Sequence, residues 1–122
     1  MTDSRKNKSY RFGLWAELYT AVRFMIKGYR IQAWRYKTPV GEIDLIVRRG
    51  DVIAFVEVKA RRDLSTALQA LTPSMKNRIT RGAQFYLAQH PAVSAMAMRF
   101  DFVAVAWPLY YRHLDNAWSA AT

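Results

Sequence analysis

Four charged side chains lie within or directly beside the two most strand-like segments of this sequence. They are Glu42, Asp44, Glu57 and Lys59. The segments Ile43–Arg48 and Val52–Arg61 are rich in β-branched residues and flank Arg49-Gly50, so they predict a β-hairpin. Because side chains alternate along a strand, an even-numbered loop places Asp44 on the same face as Glu57 and Lys59. A three-residue loop with a glycine bulge would change that face.

Two neighbouring carboxylates need a proton or a positive charge close by. At about 4 Å and an effective dielectric constant of about 20, their repulsion is roughly 4 kcal/mol. Lys59 supplies one positive charge, and a divalent metal would balance the rest. A ligand set of oxygen atoms suits Mg²⁺ or Mn²⁺, and neither His90 nor His113 has a partner at ligand spacing. The alternative is a solvent-facing hairpin whose charges form ordinary surface ion pairs.

The segments around this hairpin predict a sheet with helices on its faces. Apolar residues at helical spacing predict a helix over Phe12–Lys27 that stops at Gly28. A second helix is predicted from Thr72-Pro73 to about Gln89, where His90-Pro91 ends it. Further strands are predicted at Tyr29–Tyr36, Arg99–Trp107 and, as a short return strand, His113–Trp118. This order predicts a mixed sheet flanked by helices, in the α/β or the α+β class.

Length and composition limit the classes of protein that the chain can form. At 122 residues the chain predicts one domain, residues 12–122, preceded by a basic, flexible tail over residues 1–11. There is no cysteine, which excludes disulfides and thiolate zinc sites and is compatible with the cytoplasm. No segment reaches the roughly 20 apolar residues of a membrane span, so no membrane partner is expected. The net charge of +10 favours a polyanionic partner, most commonly nucleic acid.

The motifs taken together resemble a known family. Asp44 followed on the next strand by Glu57-Val-Lys59 is similar to the core of the PD-(D/E)XK nucleases. The closer resemblance is to the YraN-like family, whose members are similar to archaeal Holliday junction resolvases. The motifs that carry it are Gly13-Leu-Trp-Ala-Glu17 with Ala21, Gly28-Tyr29, Gly41-Glu-Ile-Asp-Leu-Ile46, Phe55-Val-Glu-Val-Lys-Ala-Arg61, Lys76 with Arg78, Arg99-Phe-Asp101 and His113-Leu-Asp-Asn-Ala-Trp118.

The resemblance implies a restriction-endonuclease-like fold and a role for each residue of its core motif. Asp44 and Glu57, with the main-chain carbonyl of Val58, would bind the metal. Glu17 would face the same cluster from the first helix and hold a second ion or its water shell. Lys59 would orient the attacking water or help to deprotonate it, and would stabilise charge developing on the phosphate.

Other polar and aromatic residues have two interpretations each. Glu42 could be a further ligand or could pair with Lys37, Lys59 or an arginine, and Gln69 could touch the site or lie on a short exposed helix. Asp101 is expected to pair with a basic neighbour. Five basic residues are candidates for phosphate contacts or for a solvated surface: Arg61, Arg62, Lys76, Arg78 and Arg81. Four aromatic residues are expected in the core: Trp15, Trp34, Phe85 and Tyr86.

Three functions are therefore compatible with the sequence. The first is a Mg²⁺- or Mn²⁺-dependent endonuclease that acts on DNA, including branched or structured DNA, with DNA favoured over RNA. The second is a nucleic-acid-binding module that has the nuclease fold with little or no catalysis. The third is an assembly protein that docks on ribosomal RNA. Resolvase-like folds that cut two strands symmetrically need two active sites, so the resemblance also implies a homodimer.

Overall fold

Eight helices and strands follow one another along the described part of the chain. The structure is a computed structural model that describes residues 2–108 and 110–120, with side chains from residue 7 onward. The elements are α1 (Thr2–Ile26), β1 (Arg30–Thr38), β2 (Gly41–Arg49), β3 (Val52–Arg61), α2 (Leu64–Leu68), α3 (Pro73–Gln89), β4 (Ala97–Ala106) and β5 (Tyr110–Trp118). A single 3₁₀ turn, Pro91–Val93, joins α3 to β4.

The five strands form one mixed sheet in the order β1-β2-β3-β4-β5. Neighbours are antiparallel except β3 and β4, which are parallel. A parallel pair needs a long crossover, and α2 with α3 provides it. The predicted hairpin is confirmed, because Arg49 pairs with Val52 and leaves a two-residue loop. The architecture is therefore mixed α/β, as the sequence predicts.

Helices cover both faces of the sheet and create two separate apolar cores. Ala16, Ala21 and Phe24 of α1 pack on one face against side chains such as Leu45 and Val56. On the other face, residues of α2 and α3 form the second core with Ile43, Ile46, Phe55 and others. Burial on both faces explains why β3 is apolar along most of its length.

The first helix is longer than the sequence predicts. It begins at Thr2, so residues 2–11 are helical rather than a flexible tail. The physical reason is that neither proline nor glycine interrupts this segment before Gly13. Met1, Leu109, Ala121 and Thr122, which fall within the predicted tail and domain, lie outside the described residues.

The bounds of the other elements agree closely with the sequence prediction. Thr72 caps α3, because its hydroxyl accepts a hydrogen bond from the main-chain N–H of Met75 at 3.2 Å. The short helix α2, which corresponds to the short exposed helix considered for Gln69, is capped in the same way by Asp63. Within residues 2–108 and 110–120, no helix has the length and apolar character needed to cross a membrane.

Candidate active site

The alternation of side chains along β2 breaks at Asp44. Ile43 packs in the core beneath α3, whereas Leu45, two residues later, packs in the core beneath α1. In a regular strand both would face the same way. Pairing between β2 and β3 ends at Leu45. At the next residue, Asp44, the side chain rather than the main chain accepts a hydrogen bond from β3: Oδ2 accepts from the N–H of Val58 at 2.8 Å.

Glu57 is one of the most deeply buried charged residues in the described part of the chain. It is 2% exposed, and its Oε2 contacts two cations, Lys59 Nζ at 3.3 Å and Arg78 Nη2 at 2.9 Å. Its other oxygen, Oε1, is buried and receives no hydrogen bond from the described residues. A buried carboxylate oxygen without a donor is costly. That oxygen is therefore free to accept a cation.

Asp44 and Glu57 influence each other strongly. Burial raises the pKa of Asp44 to about 9, with repulsion by the Glu57 carboxylate as the next largest cause. A hydrogen bond between the two carboxyl groups and, more weakly, the charge of Glu17 raise this pKa further, while the hydrogen bond from the Val58 N–H lowers it. The raised pKa favours a proton between the two carboxyl groups when no further cation is bound. A divalent ion between the two carboxylates would take the place of that proton.

Glu17 reaches this cluster from α1 and is held by two side chains of β1. Its Oε1 accepts hydrogen bonds from Trp34 Nε1 at 2.8 Å and Arg35 Nε at 2.9 Å, and its Oε2 accepts one from Arg35 Nη2 at 3.3 Å. The hydrogen bond to Glu17 raises the pKa of Arg35. Arg35 has a φ of 55°, a conformation that costs energy for a residue with a side chain.

Of the three acids, all except the buried Glu57 border one cleft of about 680 Å³ at the ends of β2 and β3. Glu17, Asp44 and Lys59 line it together with the Val58 main chain, and the exposed Arg61 and Arg62 lie at its side. The complete lining is Ser9, Phe12, Gly13, Glu17, Asp44, Val58, Lys59, Ala60, Arg61, Arg62 and Trp107. The cleft thus combines carboxylates with a lysine and two arginines, a set that suits a phosphate group and a hard cation.

The donor atoms fit one divalent metal ion better than two. Among the described side chains, no group of three or more histidine, cysteine, aspartate or glutamate residues is arranged to hold a metal. Two carboxylates are enough for Mg²⁺, which retains several waters. Asp44 and the free Oε1 of Glu57 are suited to this role, whereas both oxygens of Glu17 already contact Arg35.

Other residues predicted for the site lie elsewhere. Glu42 is exposed and opposite Lys37 in the β1–β2 pair, outside the cleft lining. Gln69 ends α2 with its side chain exposed. The five predicted basic residues do not form one surface. Arg78 faces Glu57, and residues two apart on a helix point to opposite sides. Lys76 therefore points away from the cleft and lines a separate depression near Trp118.

The predictions for the other side chains have mixed outcomes. Asp101 does pair with a basic neighbour, since Arg99 donates to both of its carboxylate oxygens, at 2.8 and 2.9 Å. Tyr86 is buried as expected, and Phe85 is partly buried. The prediction is wrong for Trp15 and Trp34, which are 36% and 43% exposed. Trp34 lies on the edge strand β1, and Trp15 stacks on Phe12 and Tyr19 along α1 instead of entering the core.

Arg35 and Trp107 are the site residues that sequence reasoning missed. Arg35 fixes Glu17, and Trp107 lines the cleft immediately after β4. No sequence signal marks a left-handed backbone at an arginine. Trp107, however, is followed by Pro108, and an aromatic residue at the end of a strand could have been considered a surface residue.

Sequence comparisons assign the chain to a family. The profile described as "Uncharacterised protein family UPF0102" matches residues 16–105. A UPF0102 protein of Chelativorans sp. (strain BNC1) is 42% identical over 118 residues, which cover 94% of this chain and 93% of the relative. A UPF0102 protein of Rhizobium meliloti (strain 1021) is 44% identical over 118 residues, covering 94% of each chain. The chain therefore belongs to the UPF0102 family, the YraN-like family that its motifs predict.

Proposed function

We propose that this protein is a divalent-metal-dependent endonuclease with a restriction-endonuclease-like fold that acts on DNA, including branched or structured DNA. One observation carries the proposal. The half-buried Asp44 carboxylate and the buried Glu57 carboxylate repel each other, and one Glu57 oxygen has no donor among the described residues, so a bound cation would stabilise the pair. Its position beside Lys59, Arg61 and Arg62 supports a phosphodiester as the substrate.

Each residue of the cleft has a role in this hydrolysis. Asp44, Glu57 Oε1 and the Val58 carbonyl would hold Mg²⁺ or Mn²⁺, which when bound supplies a positive charge to the scissile phosphate. Lys59 orients the attacking water or takes part in its deprotonation, and stabilises the charge developing on the phosphate. Glu17, whose two oxygens both contact Arg35, would hold water molecules beside that ion rather than a second ion. Arg35 and Arg78 fix the two glutamates in position.

The reaction breaks one phosphodiester bond and consumes one water molecule. The water oxygen forms a new bond to phosphorus, while the bond from phosphorus to a sugar oxygen breaks. The water loses a proton, and the departing sugar oxygen gains one. Arg61 and Arg62 contact flanking phosphates, which gives affinity without reading the sequence. A homodimer in the cytoplasm, with one cleft per chain, would allow two strands to be cut.

A nucleic-acid-binding module with little or no catalysis is the second candidate. It is favoured by the ion pairs of the glutamates, since Arg35 neutralises Glu17 and Arg78 neutralises Glu57. In that case the cleft needs no metal, and binding persists when Asp44 is replaced by asparagine. Salt-sensitive binding without any metal-dependent product would identify this function.

A cleavage assay distinguishes the two candidates. Purified protein is incubated with duplex, single-stranded, flap and four-way-junction DNA, with Mg²⁺ or Mn²⁺ or with chelator. Wild type is expected to cut at least one substrate with metal only, and Asp44→Asn and Lys59→Ala to lose roughly 100-fold or more of the rate. Glu42→Gln is the matched control, because this acid lies on the same strand outside the cleft. Cleavage by Asp44→Asn at the wild-type rate would contradict the proposal.

A further inference from the structure

A second groove, rich in aromatic residues, lies beside the cleft. Its volume is about 650 Å³, and most of the surface that lines it is apolar. It is lined by Lys8, Ser9, Arg11, Phe12, Trp15 and Trp107. Ser9, Phe12 and Trp107 also line the cleft that contains Asp44. The two depressions are therefore continuous, and a ligand that occupies one can extend into the other.

The aromatic rings of this groove are placed for stacking. Trp107 is 69% exposed and meets Phe12 edge to face, with ring centroids 6.0 Å apart. Phe12 in turn lies 6.0 Å from Trp15 at an interplanar angle of 20°. A large aromatic surface left open to water is unusual in a monomer and marks a binding surface.

Basic side chains accompany the rings along α1. Lys8 and Phe12 are four residues apart, as are Arg11 and Trp15, so each pair lies on one side of the helix. A row of cations beside flat rings matches a nucleic acid strand, whose phosphates and bases alternate in the same way. A second copy of this chain docked groove to groove fits less well, because it would bring the Lys8 and Arg11 cations of the two copies together.

We propose that this groove binds an unpaired base of single-stranded DNA, stacked on Trp107, while the phosphate beside it enters the Asp44 cleft. The inference deepens the proposed function, and its link to the cleft rests on that function. Arg61, at the cleft, pairs across the sheet with Ala106, the residue before Trp107. The base and the phosphate sites are thus next to each other at the same end of β3 and β4. A fully paired duplex offers no free base face to this groove.

Binding without divalent metal tests the groove independently of cleavage. Fluorescence anisotropy of labelled oligothymidylate and of a blunt duplex of equal length is measured in chelator. Wild type is expected to bind the single strand more tightly, and Trp107→Ala to weaken that binding roughly tenfold or more, the loss expected for one stacked base. Trp107→Phe keeps a ring and is expected to restore most of the affinity.

Tyr110→Ala is the matched control, because Tyr110 is 62% exposed and does not line the groove. It should bind as wild type does. The inference is overturned if Trp107→Ala binds the single strand as tightly as wild type, or if wild type binds the duplex as tightly as the single strand. It is also overturned if sedimentation shows that Trp107→Ala differs from wild type in self-association alone. A protein that binds in this way but never cuts DNA would refute the proposed endonuclease and leave the groove assigned.

Discussion

At the scale of single residues, the two carboxylate oxygens of Glu57 have different environments: one is held by ion pairs and the other is left available for a ligand. One oxygen contacts Lys59 and Arg78, which offsets much of the cost of burying the charge. The other oxygen has no donor among the described residues. A purely structural ion pair would be expected to satisfy both oxygens. The free oxygen therefore distinguishes this site from an ordinary buried salt bridge.

Asp101 provides the contrast, because every contact of this buried acid is structural. Arg99 and His113 contact its carboxylate, with His113 Nε2 at 2.7 Å, and the main-chain N–H of Asn116 donates at 3.0 Å. Burial alone would raise the pKa of Asp101, but the hydrogen bonds from His113 and Arg99 lower it below its ordinary value of 3.8. This network ties β5 to β4.

Replacing Asp101 should reveal that lowered pKa as a pH dependence of stability. A lowered pKa stabilises the fold at pH values above 3.8, and the stabilisation is lost as the pH falls through the folded-state value. Asp101→Asn leaves Arg99 and His113 uncompensated, so we expect a loss of about 3–5 kcal/mol near neutral pH. Chemical denaturation at several pH values measures the difference from wild type.

That difference should shrink as the solution is made more acidic than pH 3.8, where wild-type Asp101 becomes protonated. The control is Asp115→Asn, an exposed acid on the neighbouring strand β5, which should change stability by less than about 0.5 kcal/mol at any pH. An Asp101→Asn protein that is as stable as wild type at neutral pH would show that the network does not support the sheet.

At the scale of elements, the turn before β2 connects the sheet to α3. Gly41 has a φ of 128°, and Arg78 of α3 lies against it, with Nη1 at 3.2 Å from the position of an added Cβ. The same guanidinium donates to the carbonyl of Glu42 at 3.1 Å and to Glu57. Arg78 therefore positions Glu57 only if the turn keeps this conformation.

Substituting Gly41 should affect both stability and the site. Gly41→Ala places a side chain in a backbone conformation that costs about 1–3 kcal/mol, and it crowds Arg78. We expect a lower free energy of unfolding and weaker metal binding. Thermal denaturation with and without Mn²⁺ measures both effects.

Gly13→Ala is the control for the stability measurement alone, because Gly13 also lines the cleft. Gly13 lies within α1 with no atom near an added Cβ, so alanine should stabilise the helix by about 1 kcal/mol. If Gly41→Ala were as stable as wild type, the turn would not be holding Arg78 in place.

The sequence predicts the elements well and the details of the site less well. Periodicity and caps locate the β2–β3 hairpin and α3, because local patterns determine these elements. The prediction that Asp44 approaches Glu57 assumes regular alternation, but the structure achieves this approach through a break in β2. Such a break, like the left-handed Arg35, depends on tertiary contacts with Val58 and Glu17. A one-dimensional pattern does not contain those contacts.

At the scale of the whole molecule, the charge of +10 is distributed over several surfaces rather than one. Arg61 and Arg62 lie at the cleft, whereas Lys76 lies near Trp118 and Arg30 is exposed at the start of β1. Long-range attraction depends on the total charge. Close phosphate contacts depend on where each cation lies.

The salt dependence of DNA binding should separate these two contributions. Each phosphate contact adds about one unit to the slope of log affinity against log salt concentration. Arg62→Ala should reduce this slope by about one unit, whereas Arg30→Ala, which removes the same charge away from the cleft, should reduce it by much less. Equal slopes for the two variants would contradict phosphate binding at the cleft.

Titration of Mn²⁺ into the protein, read by calorimetry, tests the central claim most directly. We expect wild type to bind the ion at a defined site and Asp44→Asn to bind it at least roughly tenfold more weakly. Replacing a residue that only hydrogen-bonds a metal ligand already lowers metal affinity by about that much. Glu42→Gln should bind as wild type does. Binding by Asp44→Asn that equals wild type would contradict a metal site between Asp44 and Glu57.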